Sequence, residues 1–256
     1  MRSKDTVKIL LGVEGVDYNC VDAKDRTLLM MAVKQGWADV VALLLEREGI
    51  KVESRDDEGK TALAHAISRG HLESFHALLK VDSISAKYAT SKGLNYLMLA
   101  AKSSNEKLIR SVLQLKQFNI NARDIYGRTA VAYAVKSKRY DAVEALLEVE
   151  GVDVHCVADD RRTLLMDAAS SYDGPKMINR FLGLGLGANI NAADIYGWTA
   201  LFFAVFRWKL ENVSALLKVE GIDLSVRDVK GRTVLMFSKE LGSKACTELL
   251  RKAGAS

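Results

Sequence analysis

A single proline among 256 residues leaves no room for proline-rich linkers, and with few low-complexity stretches the chain is not expected to be disordered. Three cysteines, Cys20, Cys156 and Cys246, are too few for a disulfide framework. Cys20 and Cys156 also fall several structural units apart, too far to bridge, so reduced thiols are expected. No apolar run is long enough to cross a bilayer, and Met1-Arg2-Ser3-Lys4-Asp5 lacks the apolar stretch of a secretory signal. An intracellular protein, cytoplasmic or nuclear, is therefore expected. Only four histidines occur, His65, His71, His76 and His155, and no Cys/His spacing fits a zinc site. The run Gly183-Leu184-Gly185-Leu186-Gly187 looks glycine-rich, but it follows a helical stretch and precedes a turn. That is the wrong setting for a phosphate loop, and a helix stop is the expectation. Asp159, Asp160 and Asp167 come close in sequence with no base, nucleophile or metal ligand beside them, so a solvated turn is expected there. No catalytic residue, metal or cofactor is predicted, and the chain is not read as an enzyme.

What the sequence does contain is a returning phrase. Its clearest copies are Asp124-Ile125-Tyr126-Gly127-Arg128-Thr129-Ala130 and Asp194-Ile195-Tyr196-Gly197-Trp198-Thr199-Ala200. Aligned on the threonine, the register is Thr27, Thr61, Asn95, Thr129, Thr163, Thr199 and Thr233, with steps of 34 residues and one of 36. A fixed period in this range marks a solenoid, in which each copy buries its apolar face only against its neighbours. Each copy reads as a polar turn, a threonine N-cap, a short apolar helix, a polar link and a second helix ending in a Leu-Leu pair. Residues 5–11 match only the second half of a copy. Residues 1–16 are thus either a capping helix or the remainder of an interrupted repeat, and the second favours a chain cut from something longer.

A second period lies over the first. Thr27-Leu28-Leu29-Met30, Asn95-Tyr96-Leu97-Met98, Thr163-Leu164-Leu165-Met166 and Thr233-Val234-Leu235-Met236 alternate with alanine-rich copies such as Thr61-Ala62-Leu63-Ala64 and Thr129-Ala130-Val131-Ala132. Adaptable methionines are expected to fill the space left by alanines in the next copy, and Phe202 breaks the rule.

Period, Gly-x-Thr turn, small-residue inner helix, the Gly70-His71 link and the Leu-Leu outer helix occur in order, and in this the chain resembles the ankyrin repeat family. The resemblance implies an all-α solenoid of stacked antiparallel helix pairs with projecting turns: about seven full repeats after an N-terminal half repeat, a single array over residues 1–256. Several features depart from the family. Its proline after Thr is replaced by Leu28, Ala62, Tyr96, Ala130, Leu164, Ala200 and Val234, and its histidine three residues after Thr is absent throughout. Asn95 replaces Thr but can still cap a helix. Repeat five carries two extra residues, one near Ser171–Pro175 and one in Gly183–Gly187, which should put Pro175 at the start of a second helix, where its missing amide is harmless.

The resemblance also implies that recognition uses the turn tips and the exposed side of the inner helices, which line a concave face. Basic residues recur one position before the cap, as Arg26, Lys60, Arg128, Arg162 and Arg232, and aromatics gather in repeats four and six. The candidate partner-binding set is Tyr126, Arg128, Lys136, Arg162, Tyr196, Trp198, Phe206, Arg207 and Arg232. The basic residues could equally be a solvated face, and Tyr126, Tyr196 and Trp198 could brace neighbouring turns. A net charge of +5 and a pI of about 9.0 permit an acidic partner without demanding nucleic acid. The expected function is a monomeric, non-catalytic protein-interaction module or scaffold binding a protein or peptide with acidic and apolar groups. The alternatives are nucleic-acid or nucleotide binding by stacking and phosphate contacts, and a sensor segment of a larger multidomain protein.

Overall fold

The computed structural model of the chain describes residues 2–13, 15–81, 88–103, 105–115, 119–137 and 139–255. Of the opening segment, Met1 and Glu14 lie outside the described residues. Among the described residues every regular element is helical, and the extended pairings are three isolated bridges, Val21 with Thr27, Val157 with Thr163 and Arg227 with Thr233. No helix is long and apolar enough to cross a membrane. The chain divides into two compact units, Met1–Asn119 and Ile120–Ser256.

The first unit contains α1 (Arg2–Leu11), α2 (Leu28–Lys34), α3 (Ala38–Leu45), α4 (Ala62–Arg69), α5 (Leu72–Leu78), α6 (Tyr96–Ser103) and α7 (Glu106–Gln114). The second contains α8 (Ala130–Lys136), α9 (Tyr140–Leu147), α10 (Leu164–Ala169), α11 (Gly174–Gly183), a 3-10 turn at Leu186–Asn189, α12 (Ala200–Phe206), α13 (Leu210–Leu216), α14 (Val234–Glu240) and α15 (Lys244–Lys252). Within each unit the first helices of successive pairs pack on one another: α2 on α4 on α6, and α8 on α10 on α12 on α14. Second helices stack likewise, α3 on α5 and α11 on α13 on α15. Helix α1 packs against α3, as an outer helix would, and Lys4 and Lys8 both pair with Asp39.

The seven residues that replace the expected proline are the first residues of α2, α4, α6, α8, α10, α12 and α14. Without a pre-organised first turn, these helices depend on their caps. Thr27, Thr61, Thr129, Thr163 and Thr233 each accept a hydrogen bond from the amide three residues on, at 3.2–3.4 Å. Thr199 makes no such bond. Asn95 does the same work with its amide oxygen, which accepts from the Met98 amide at 2.8 Å. Replacing Asn95 with alanine should therefore cost about 0.5–2 kcal/mol in a denaturation experiment, the range for losing an N-cap. An unchanged midpoint would mean that the cap contributes nothing.

The turns before these caps are built around a buried polar residue five positions ahead of the threonine register. Asp56 accepts from the amides of Glu58 and Lys60, Asp124 from Tyr126 and Arg128, Asp194 from Tyr196 and Trp198, and Asp228 from Lys230 and Arg232, all between 2.7 and 3.0 Å. Thr90 fills this role with its hydroxyl. Within each unit, successive tips are then joined by one backbone bond each: Asp57 donates to Lys24 and Ser91 to Glu58 in the first, and Asp159 to Tyr126, Ile195 to Asp160 and Val229 to Tyr196 in the second. A side chain at Gly197 would meet Asp228 Cα at 2.8 Å, and its φ of +76° is left-handed, so this close tip-to-tip approach requires glycine. Outside the tips, Asn19, Asn121 and Asn191 each donate to a glycine carbonyl (Gly49, Gly151, Gly221) and accept from the amide two residues beyond that glycine.

The core follows the apolar periodicity. Met30, Met98 and Met166 are at most 1% exposed, whereas Met236, at the same register position on α14, is 44% exposed. Met30 and Ala64 are both buried, on the packed helices α2 and α4, as the large–small alternation expects. Pro175 is the second residue of α11, which Asp173 precedes as cap, and Leu184 caps the helix's far end before left-handed Gly185. The glycine run is therefore a helix stop.

Candidate partner-binding site

All nine candidate residues belong to the second unit, and five of them line one groove. Arg162, Tyr196, Trp198, Phe206 and Arg207, with Asp160, Ser170, Asp194 and Phe203, enclose about 400 Å³ between the turn tips and the ends of α10 and α12. Its floor is aromatic. The Trp198 ring lies 5.4 Å from Phe203, 5.2 Å from Phe206 and 5.0 Å from Phe237, centroid to centroid. Trp198 thus packs on its own inner helix and on that of the next pair while still bordering the groove. Losing this ring removes packing as well as groove surface. Tyr196 and Arg207, both exposed, form the rim, with the Arg207 guanidinium 5.4 Å from the Phe206 ring centroid.

The arginines one position before the cap are more tied down than a solvated face requires. Arg162 sends Nη2 to Asp167 Oδ1 at 2.5 Å and lies 4.2 Å above the Phe203 ring. Asp167 is 9% exposed, inside α10, so the expectation of a solvated turn fails for it. It stands four residues after its threonine, where α4 carries His65, α8 Tyr133 and α12 Phe203, a position that faces back toward the turn. His65 Nε2 and the Tyr133 hydroxyl reach the turn aspartates Asp56 and Asp124 from this position. Turn five has Ala158 in place of that aspartate, and Asp167 instead supplies the carboxylate to Arg162. Burial pushes the Asp167 carboxyl above its ordinary value, and the charges of Arg162 and Lys136 oppose the shift. Burial pushes the half-buried Lys136 ammonium down.

Arg232 is also committed. It bonds Asp228 and Glu240 and lies 4.8 Å above Phe237, so it meets the cluster only through that ring. Tyr126, Arg128 and Lys136 sit one to two turns away. Arg128 covers the Tyr126 ring at 5.1 Å and approaches Asp160 at 3.8 Å, which links this group to the groove. Reading by sequence missed Trp208. It is 56% exposed and left-handed (φ +57°), at the link position that Gly36, Gly70 and Gly242 occupy elsewhere. Beside it, Lys209 Nζ lies 3.0 Å from the centroid of the Tyr172 ring, which is 77% exposed. Aligning the links on those glycines was the available signal.

The family model described as ankyrin repeats (3 copies) matches residues 2–88, 82–158 and 165–256. The chain belongs to the ankyrin repeat family. In ankyrin terms the groove lies where turn tips meet inner helices. The crystal structure of the human ASB11 ankyrin repeat domain resembles it at TM-score 0.74 and 20% identity, over 90% of this chain and 99% of that one, a likeness of fold alone. A chain in the structure of the Bd0816 predatory endopeptidase from Bdellovibrio bacteriovorus, in complex with immunity protein Bd3460, resembles it at TM-score 0.67 and 29% identity, over 75% of this chain and 98% of that one. No curated protein matches.

Proposed function

We propose that this ankyrin chain is a non-catalytic interaction module, read as seven full repeats after an N-terminal half repeat. Its protein partner docks on the concave face at the groove lined by Tyr196, Trp198, Phe206 and Arg207. The carrying observation is that groove: an aromatic floor of Trp198 and Phe203 with an exposed tyrosine and arginine at its rim, the residue types that dominate interface energetics. Arg128 and Lys136 extend the cationic character toward turn four, which suits a partner segment with acidic side chains beside an apolar anchor. That a chain of similar fold occurs in a protein–protein complex supports a protein partner. Three free cysteines, two of them buried, suit a reducing cytoplasmic or nuclear setting.

A salt titration of the complex with a captured partner tests this class of function. Binding by an aromatic groove should weaken only modestly with salt. A steep log-linear fall, the mark of released phosphate counterions, would transfer the site to nucleic acid.

A further inference from the structure

Arginine side chains close the joint between successive turns at two places. Arg55, six residues before Thr61, sends Nη1 to the carbonyl of Ala89 in the next turn at 2.8 Å, with its guanidinium 5.3 Å from the Tyr88 ring. Arg123, six before Thr129, sends Nη1 to the Val157 carbonyl at 2.7 Å and reaches the carbonyl of Gly127, in its own turn, at 3.4 Å. The residue at this position before Thr163 is Val157, which is too short to cross the joint and carries no donor.

At that joint there is a cavity of about 270 Å³, whose lining includes Val157, Arg161, Ala192 and Ala193. Arg161 and Ala193 are the register equivalents of Gly127 and Val157, the two residues whose carbonyls receive Arg123. Among the described residues neither carbonyl accepts a hydrogen bond. Ala192 stands where Tyr88 lies against Arg55, and its small side chain leaves the space open. Leu165 and Leu186 supply apolar wall.

We propose that this cavity binds a guanidinium group from outside the chain, held by the Arg161 and Ala193 carbonyl oxygens as Arg123 is held by Gly127 and Val157. A guanidinium presents several donors in a fixed planar fork, so it can serve two carbonyls at once, and the leucine wall takes its methylene stem. An ammonium is a compact, strongly hydrated charge without that fork and fits the pair less well. Arg161 itself is exposed, and its backbone is left-handed at φ +61°. Burial pushes the Cys156 thiol up, and its Sγ, on the cavity wall, lies 3.3 Å from the Thr129 hydroxyl. The occupant is either an arginine side chain of a partner or a free guanidinium compound.

The test is a titration of the whole chain with N-acetyl-arginine amide, with free arginine and with N-acetyl-lysine amide, read by amide shifts of residues 157, 161 and 193. Saturable shifts with the arginine amide and not the lysine amide are expected. A response to the arginine amide alone marks a partner's arginine as occupant, and a response to free arginine as well marks a small guanidinium compound. Val157→Arg, which supplies the chain's own guanidinium, and Val157→Met, which fills the space without charge, should each abolish the shifts. Absence of saturation in the parent chain, an equal response to the lysine amide, or shifts that persist in a folded variant would overturn the proposal.

Discussion

Met98→Ala should lower the unfolding free energy by about 2–5 kcal/mol, the range for emptying a buried methionine site. Met98 is 0% exposed on α6, and its amide is the one that Asn95 caps. The helix is short and lacks the family's proline, so its stability comes from packing more than from propensity. Truncation leaves a cavity that neighbouring helices can only partly close. The internal control is Met236→Ala, which removes the same side chain at the same register position where it is 44% exposed. That change should stay within about 0.5 kcal/mol, as for surface substitutions. Hydrogen exchange across α6 and α14 separates the two effects, because repeat proteins need not unfold in one step. Equal losses from both variants would remove the large–small alternation from the account.

Arg162→Ala should destabilise by about 3 kcal/mol at neutral pH, near the low end for breaking a buried ion pair because the arginine is partly exposed. The loss arises less from the missing contact than from the Asp167 carboxylate left buried without it. Burial already raises the folded value of this carboxyl, and Arg162 is a cause holding it down. Removing Arg162 raises it further. An acid whose folded value is raised binds its proton more tightly in the native state, so it costs stability as pH rises through the window between the unfolded and folded values. The deficit of Arg162→Ala relative to the parent chain should therefore shrink as pH falls through the folded value, and be smallest near the ordinary 3.8. Asp167→Asn in the Arg162→Ala background should recover most of the loss at neutral pH. A deficit constant between neutral pH and that point would show that a different group is left exposed to the loss.

These two cases mark where the sequence was legible. The threonine register, the helix starts and the placement of Pro175 could be read because each rests on a local rule about caps and first turns. The burial of Met98 could be read because the period fixes which side of each short helix faces a neighbour. Asp167 could not: its role depends on turn five having Ala158 where other turns have aspartate, which matters only once the fold brings α10 back to that turn. Asn19, Asn121 and Asn191, and the arginines Arg55 and Arg123, join residues about one period apart through backbone carbonyls that composition does not reveal. Of the candidate site, Tyr196, Trp198, Phe206 and Arg207 were legible from their positions relative to Thr199. That Arg162 and Arg232 are held by carboxylates, and that Trp198 packs on four phenylalanines, follows from side-chain directions that spacing alone leaves open.

The claim that the repeat-six groove receives the partner is tested most directly by the affinity of that partner for Tyr196→Ala and Arg207→Ala, since both residues are exposed at the rim. Their melting temperatures should match the parent chain. The double variant should lose at least about 2 kcal/mol of binding free energy, the hot-spot threshold. Undiminished affinity in folded variants would contradict the account and place the partner on another surface.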